Sequence, residues 1–281
     1  AVVDQYDLFI IDQWGVMHDG YSGYNYAIKC IENLFKLRKK LIIISNSSKR
    51  KQTTIERLPQ LGFDKNYFDE VMTSGELIWQ NLYNKSEDFF KKLGSRCYYL
   101  VDETKDDAKK YIEGLQYEFV ENIESSDFIL ACTITPGLRA LDYVPLLEKA
   151  IEKKIPFICA NPDYESIETS TNNLNICMGT ISELYKDFGG VVCIKGKPSI
   201  DIYKEATKRF KKIDKKRMLA IGDSIHHDIK GAINFGIDSL LIVSGIHKSG
   251  FNQSLPKWED NNNYLKKFKI KPTYLCSRFQ F

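Results

Sequence analysis

The sequence predicts an α/β protein with a Rossmann-like parallel sheet and a second α/β domain inserted into it. Apolar runs of strand length recur along the 281 residues and alternate with stretches of helical periodicity. These runs are apolar throughout, which is typical of strands that helices cover on both faces. Because the alternation continues along most of the chain, it favours βαβ units over an all-α or all-β fold.

The N-terminal part contains two predicted strand–helix pairs. LFIID at 8–12 is the first predicted strand, and a helical pattern at 26–40 follows it. LIIISN at 41–46 is the second strand, and the helical pattern at 51–62 follows it. Both strands lack polar alternation, so we expect both to be buried in one sheet.

The C-terminal part repeats the same order. The segment 191–194 is a predicted strand that leads into a helix at 200–212. The strand at 218–224 leads into a helix at 226–236, and SLLIVSG at 239–245 is a further strand. The sequence supports no functional prediction for the tail, residues 250–281.

The middle of the chain reads as a second α/β unit. Its predicted strands and helices lie at 97–101, 103–115, 127–133, 140–154 and 155–162. The simplest architecture is therefore a discontinuous core domain with one inserted domain. The predicted bounds are residues 1–79 and 186–281 for the core domain and residues 80–185 for the inserted domain.

The composition narrows the class of protein. Hydrophobic residues make up 43% and charged residues 27%, which is an ordinary globular balance. A net charge of +3 does not favour nucleic acid or an anionic membrane as a partner. We expect a cytoplasmic protein, because no apolar stretch approaches the ~20 residues of a transmembrane helix and no signal peptide is visible. The seven scattered cysteines lack CxxC spacing, so we expect free thiols rather than disulfides or a zinc site.

Polar residues follow the predicted strands at their carboxyl ends, where open α/β sheets bind ligands. Asp12 ends the first strand, Ser45 and Asn46 end the second, and Asp223 ends the strand at 218–224. Lys197 follows the strand at 191–194. Carboxylates and phosphate-binding groups thus converge, which predicts a site for phosphoryl transfer.

Each of these groups suits a step of that chemistry. Asp12 is a candidate nucleophile, because carboxylates form acyl-phosphate intermediates. Asp223 can complete a Mg²⁺ site with it. Lys197 can neutralise phosphate charge, and Pro198 suits the first position of a helix. With Asp228, the carboxylates carry three negative charges, which Mg²⁺ and Lys197 would balance.

Structural roles are the alternatives for several of these residues. Asp228 suits the first turn of a helix, where the dipole favours a carboxylate. Ser45 and Asn46 suit an N-cap. Asn161 and Asp163, in the segment NPD, suit an ordinary turn.

Four segments resemble, in order, the motifs of the haloacid dehalogenase superfamily. They are FIIDQWGV, IIISNSSK, IKGKPS and LAIGDSIHHDI. The insertion between the second and third motifs resembles the class IIA cap of 4-nitrophenyl-phosphatase-like and nucleotide-phosphatase-like members. Further features similar to class IIA are TSGE (73–76), ANPD (160–163) and SGIH (244–247). The resemblance spans about residues 6–250 and implies a Rossmann-like core with an inserted α/β cap.

The resemblance implies a Mg²⁺-dependent phosphatase that acts on a small phosphorylated metabolite. Asp12 would form an aspartyl-phosphate, which water would hydrolyse. Asp12, the backbone carbonyl of Trp14 and Asp223 would hold Mg²⁺, and Asp228 would support them. The expected phosphate ligands are Ser45, Asn46 and Lys197. Class IIA relatives also suggest that the cap selects the substrate, that it forms homo-oligomers, and that Asn161 and Asp163 shape its approach to the site.

Trp14 departs from the family pattern. Most phosphatases of the superfamily carry an aspartate there, which protonates the leaving group, whereas an indole cannot shuttle a proton near pH 7. The segment DQWGV is similar to a DxWGV variant of one class IIA branch. We therefore expect slow turnover of alkyl phosphates. The loss of turnover rate should be smaller for acyl or aryl phosphates, whose leaving groups need less protonation. His18 is the nearest substitute acid in sequence, with a structural role as its alternative. The alternative function is a near-inactive or non-hydrolytic homologue that binds a phosphometabolite.

Overall fold

The protein folds into two compact units in the computed structural model, which describes residues 2–104, 107–168, 173–251 and 263–280. The first unit contains residues 1–45, 54–72 and 197–281, and the second contains residues 46–53 and 73–196.

Short strands and helices alternate along both units. The strands are β1 Leu8–Ile11, β2 Lys40–Ser45, β3 Glu70–Thr73, β4 Arg96–Leu100, β5 Glu118–Val120, β6 Phe128–Ala131, β7 Phe157–Cys159, β8 Glu165–Glu168, β9 Asn173–Ile176, β10 Val192–Ile194, β11 Met218–Gly222, β12 Asp238–Ile242 and β13 Tyr274–Cys276. The α-helices are α1 Asn25–Lys36, α2 Lys51–Arg57, α3 Ser74–Asn84, α4 Asp88–Lys91, α5 Asp107–Ile112, α6 Val144–Glu152, α7 Met178–Asp187, α8 Ile200–Ala206 and α9 Lys230–Phe235. The predicted α/β fold with parallel sheets is confirmed.

The first unit is built on a six-stranded sheet in the order β13-β12-β11-β1-β2-β3. β1 pairs in parallel with both β2 and β11, and Ile11 lies opposite Ile43 and Ile221. This register brings the carboxyl ends of the central strands to one edge of the sheet, where Asp12 and Asp223 follow their strands. All residues of β1 and β11 are buried, as their continuous apolar runs predict.

Helix α1 shows how the apolar pattern builds the core of this unit. Its buried residues, Ala27, Cys30, Ile31 and Leu34, recur at the spacing of one helical face. They belong to one apolar cluster with strand residues such as Ile43. Burying this face therefore packs α1 against the sheet whose carboxyl edge carries Asp12 and Asp223.

The second unit has its own parallel sheet, in the order β10-β7-β6-β4-β5, and an antiparallel pair, β8 and β9. β10 was expected to lie in the same sheet as β1, because Lys197 follows it. Instead, β10 pairs with β7, and Val192 lies opposite Phe157. The physical reason is that α7 forms the crossover that returns the chain to a parallel neighbour of β7.

The predicted bounds of the inserted domain fall within helices. Residue 80 lies in α3 and residue 185 lies in α7, whereas the contacts divide the chain after residues 72 and 196. Each helix stays whole because its apolar face packs within the second unit, as with Ile78 of α3 and Ile181 of α7. The helix expected to begin at Pro198 begins at Ile200, where the Ser199 hydroxyl accepts the N–H of Asp201 as the N-cap.

The C-terminal tail contributes to the fold of the first unit. β13 pairs in parallel with β12, and Phe279 is buried in the main apolar cluster. Residues 252–262 of the predicted tail lie outside the described residues. In the described ranges, no helix combines the length and the apolar character needed to span a membrane.

Candidate active site

Three aspartates converge at the carboxyl edge of the first unit's sheet. Asp12 follows β1, and its N–H donates to the carbonyl of Ile221 in β11 at 2.9 Å. One carboxylate oxygen each from Asp12, Asp223 and Asp228 lies within 4.8 Å of the others. The three side chains are at least nine-tenths buried. The sequence prediction named all three, and the fold brings them together.

Lys197 supplies a positive charge to this cluster. Its Nζ lies 2.5 Å from Asp12 Oδ1 and 2.6 Å from Asp228 Oδ1, and its side chain is 4% exposed. Three carboxylates against one ammonium leave a formal charge of −2 in a site with little access to water. Buried charge of this size is costly unless a cation compensates for it.

This environment changes the pKa of the Asp223 carboxyl group. Burial raises its pKa well above the ordinary value, and the negative charges of Asp12 and Asp228 raise it further. The N–H of Ile246 donates to Asp223 Oδ2 at 2.8 Å, which opposes that shift. A divalent cation at this point would favour the ionised carboxylate, so the donor set fits a metal site.

A five-residue π-helical turn, Ile225–Ile229, presents Asp228 to the cluster. The N–H groups of Asp228 and Ile229 both donate to the carbonyl of Ser224, at 2.9 and 3.1 Å. The N–H of Ser224 in return donates to Asp228 Oδ2 at 3.0 Å. Asp228 therefore accepts a local backbone hydrogen bond and also pairs with Lys197. π-Turns of this kind are frequent at functional sites.

Two glycines close on Asp223 and were missed as site residues in the sequence analysis. A Cβ on Gly15 would lie 2.2 Å from Asp223 Oδ2, and a Cβ on Gly245 would lie 2.0 Å from the same atom. Gly15 also has a φ of +80°, which disfavours any side chain. Their signal lay in the segments DQWGV and SGIH, which contain Gly15 and Gly245.

The loop after Asp12 is a compact turn. The carbonyl of Gln13 accepts the N–H groups of Met17 and His18, at 2.8 and 3.2 Å. The His18 ring is buried, and its Nδ1 accepts the N–H of Gly20 at 3.0 Å. Burial lowers the pKa of His18 from 6.5 to about 4, so the ring is neutral at pH 7. These are the contacts of a structural histidine rather than of a general acid.

This neutral histidine predicts a pH dependence of stability. Because the folded-state pKa is lowered, the unfolded chain binds the proton first, and stability falls as the pH drops from 6.5 towards 4. Replacing His18 with Asn keeps an acceptor for the Gly20 N–H and removes the titration. Between pH 7 and pH 5, the wild type should lose about 1–2 kcal/mol more free energy of unfolding than His18→Asn. Urea unfolding at both pH values measures the difference, and equal losses in both proteins would contradict the assignment.

Ser45 and Asn46 occupy different surroundings. Ser45 ends β2, whose neighbour β1 precedes Asp12. Asn46 belongs to the second unit, where its Nδ2 donates to Asp163 Oδ1 at 2.8 Å. Asn161 Oδ1 accepts the N–H of Asp163 at 3.2 Å. The structure thus joins Asn46, Asn161 and Asp163 in one hydrogen-bonded group.

The segment after Asn46 is anchored to the start of α3 by contacts that the sequence analysis missed. The N–H of Gly75 donates to the carbonyl of Ser47 at 3.0 Å, and a Cβ on Gly75 would lie 2.0 Å from the carbonyl oxygen of Ser48. The buried Glu76 carboxylate accepts Arg50 Nε at 2.7 Å and the N–H of Lys51 at 3.2 Å. The TSGE segment was the available signal, because it contains both Gly75 and Glu76.

Comparisons with known proteins agree with this geometry. A family model described as haloacid dehalogenase-like hydrolase matches residues 9–118, and one described as HAD-hydrolase-like matches residues 194–279. The two matched regions contain Asp12, Lys197, Asp223 and Asp228. The chain belongs to the haloacid dehalogenase-like hydrolases.

Solved structures similar to this hydrolase cover nearly its whole length. A haloacid dehalogenase-like hydrolase from Brucella suis 1330 is 27% identical, covers 99% of this chain and 97% of its own, and has a TM-score of 0.83. A 4-nitrophenylphosphatase from Thermotoga maritima is 22% identical, with 99% and 97% coverage and a TM-score of 0.70. A possible sugar phosphatase from Cytophaga hutchinsonii ATCC 33406 is 18% identical, with 100% and 96% coverage and a TM-score of 0.76. At 22% and 18% identity, the Thermotoga maritima and Cytophaga hutchinsonii structures show that the hydrolase shares their fold. No curated protein matches the hydrolase significantly.

Proposed function

We propose that this hydrolase is a phosphatase that releases phosphate from a small phosphorylated compound, with Asp12 as its nucleophile. The observation that carries the proposal is the buried ion pair between Lys197 Nζ and Asp12 Oδ1 at 2.5 Å, within a cluster of three carboxylates. This contact orients the Asp12 carboxylate and supports Lys197 as the cation that would balance phosphate charge.

The reaction has two displacements at phosphorus. A carboxylate oxygen of Asp12 attacks phosphorus, the ester P–O bond breaks, and the leaving group departs with its electron pair. Water then attacks the phosphorus of the aspartyl-phosphate, which restores the Asp12 carboxylate and releases inorganic phosphate. Lys197 stabilises the phosphate oxygens in both displacements. The Ser45 hydroxyl is a further hydrogen-bond donor for the same oxygens, whereas the Asn46 side chain is bound to Asp163 in the second unit.

The carboxylate cluster fits Mg²⁺, which prefers a few carboxylates with water and phosphate oxygens. Asp12, Asp223 and the backbone carbonyl of Trp14 would hold the ion, and Asp228 would orient Lys197 beside it. When bound, the cation would balance the formal charge of −2 and would polarise the phosphate oxygens that bind it.

Metal removal therefore tests the proposal. Treatment with EDTA should lower phosphate release at least about 100-fold, and added Mg²⁺ should restore it. Mg²⁺ should also raise the melting temperature of the wild type, because it binds the folded cluster. Asp223→Asn should lose most of that thermal shift. Unchanged release after EDTA, together with no thermal shift, would exclude the metal assignment.

The substitution Trp14→Asp tests whether the absence of a general acid at this position limits turnover. An aspartate at this position would restore a general acid, which contributes roughly 10²–10⁴-fold in enzymes. We expect turnover of an alkyl phosphate to rise about 10- to 100-fold, since the surrounding loop was not shaped for a carboxylate. Initial rates with glycerol phosphate and acetyl phosphate measure the change, and acetyl phosphate should gain less. A fall with both substrates would mean that the indole has a positive role.

A further inference from the structure

The SGIH loop, residues 244–247, ends in a histidine that the proposed reaction does not use. The two residues before this histidine lie against Asp223. A Cβ on Gly245 would lie 2.0 Å from Asp223 Oδ2, and the N–H of Ile246 donates to the same atom at 2.8 Å. The loop thus limits the orientation of one carboxylate of the cluster before the chain reaches His247.

The ring of His247 contacts the π-turn that presents Asp228 to the cluster. Its Nε2 accepts the N–H of Ile225 at 3.2 Å. Ile225 is the first residue of the turn, and an N–H at the start of a helical turn has no carbonyl acceptor within that turn. The preceding N–H, that of Ser224, donates to Asp228 Oδ2 at 3.0 Å. His247 therefore supplies the acceptor that holds the start of this turn to the SGIH loop.

These hydrogen bonds also assign the proton on the His247 ring. A backbone N–H can only donate, so Nε2 is unprotonated and the proton of the neutral ring lies on Nδ1. Nδ1 lies 3.2 Å from the hydroxyl oxygen of Tyr264, which accepts this proton. Burial lowers the pKa of His247 to about 4, so the ring is neutral at pH 7 and Nε2 can act as an acceptor.

Aromatic side chains of the C-terminal tail hold the ring in place. The rings of Tyr264 and Phe268 lie with their centroids 6.1 and 5.5 Å from that of His247. Both belong to the surroundings of the apolar cluster that contains Ile225 and Phe251. A side chain that only filled this space would need no polar atoms, whereas both nitrogens of His247 have hydrogen-bond partners. Because packing restricts the rotation of the ring, the hydrogen bond to the turn has a defined geometry.

We propose that His247 is a positioning residue: its Nε2 holds the π-turn and the SGIH loop together, so that Asp223 and Asp228 keep the spacing needed for Mg²⁺. The proposal rests on the metal assignment in the function proposed above. Two consecutive residues share the task, since the N–H of Ile246 orients Asp223 while His247 fixes the turn that carries Asp228. Replacing a residue that orients metal ligands in this way typically weakens metal binding roughly 10- to 100-fold.

The test measures the affinity for Mg²⁺ alone, without substrate, from the rise in melting temperature with Mg²⁺ concentration. His247→Gln places an amide oxygen near the position of Nε2 and keeps an acceptor for the N–H of Ile225. His247→Asn is one methylene shorter and reaches only the position of Nδ1. We expect His247→Asn to bind Mg²⁺ about 10-fold more weakly than the wild type, and His247→Gln to stay within about 3-fold of it.

Two further variants make the comparison decisive. Leu34 is buried on α1 in a different apolar cluster, so Leu34→Ala should lower the melting temperature and leave the affinity for Mg²⁺ unchanged. Tyr264→Phe removes only the hydroxyl at Nδ1 and keeps the ring. This milder change should weaken Mg²⁺ binding about 3-fold, and it provides the same test if His247→Asn does not fold. Circular dichroism shows which variants are folded.

Each outcome bears on a different claim. Equal affinity for Mg²⁺ in His247→Asn and the wild type would overturn the positioning role. A loss as large in His247→Gln as in His247→Asn would also overturn it, because the acceptor at Nε2 would then not matter. A similar loss in Leu34→Ala would show that Mg²⁺ binding only follows stability. Absence of a Mg²⁺ response in the wild type would overturn the metal assignment and the positioning role with it. A normal Mg²⁺ response without Asp12-dependent phosphate release would overturn the phosphatase alone.

Discussion

Asp12→Asn should lower the rate of phosphate release about 10⁴-fold or more, while the protein stays folded. The amide has nearly the shape of the carboxylate but lacks the anionic oxygen that attacks phosphorus. The change also removes one of three negative charges that crowd the site, so the unfolding free energy should not fall severely. Release of phosphate and circular dichroism, measured on the same preparation, separate loss of chemistry from loss of fold.

The matched control for this variant lies at the other end of the same strand. Asp7 precedes β1 and pairs with Arg217 at 2.6 Å, and its side chain is 46% exposed. Asp7→Asn makes the same chemical change outside the site and should keep nearly full activity, because exposed ion pairs contribute little. Comparable losses in Asp7→Asn and Asp12→Asn would show that the effect is structural. Activity that survives in Asp12→Asn would rule out the covalent mechanism.

Lys197→Met should lower both stability and turnover. The change leaves the carboxylates of Asp12 and Asp228 buried without the ammonium that contacts both, and breaking a buried ion pair in this way costs about 3–5 kcal/mol. Losing the cation that stabilises phosphate oxygens should reduce kcat/KM about 10²–10³-fold. Mg²⁺ should raise the melting temperature of the variant more than that of the wild type, because more negative charge is left to compensate. Urea unfolding, phosphate release and thermal shift measure the three effects.

Lys195, which lies two residues before Lys197, provides the control for Lys197→Met. Its ammonium pairs with Glu87 at 2.5 Å within the second unit, and Glu87 is 45% exposed. Lys195→Met should therefore leave phosphate release close to that of the wild type. Equal losses of release in Lys195→Met and Lys197→Met would contradict the assignment of Lys197 as the phosphate lysine.

The first unit's central strands and the carboxylates at their ends were predictable from sequence. Continuous apolar runs mark β1 and β11 as buried parallel strands, and this alone predicts that Asp12 and Asp223 share one edge of a sheet. The partner of β10 was not predictable, because a three-residue strand carries no signal for the sheet that it joins. β13 was missed for the same reason, since YLC is too short to distinguish from loop.

Parts of the site escaped prediction because they depend on tertiary contacts. IHHDI reads as the start of an α-helix, yet it forms a π-turn whose buried Ile225 and Ile229 pack in an apolar cluster. The neutral state of His18 follows from burial, which the sequence does not reveal. The close approach of Gly15 and Gly245 to Asp223 joins loops far apart in sequence, so no local pattern could indicate it.

Phosphate release from phenyl phosphate, with and without Mg²⁺, tests the central claim most directly when wild type, Asp12→Asn and Asp7→Asn are assayed side by side. We predict release by the wild type and by Asp7→Asn that requires Mg²⁺, and none above background by Asp12→Asn. Equal release by Asp12→Asn and the wild type would contradict the claim that Asp12 is the nucleophile. Absence of release in all three proteins, with phosphate still bound, would contradict the claim that this hydrolase is a phosphatase for such esters.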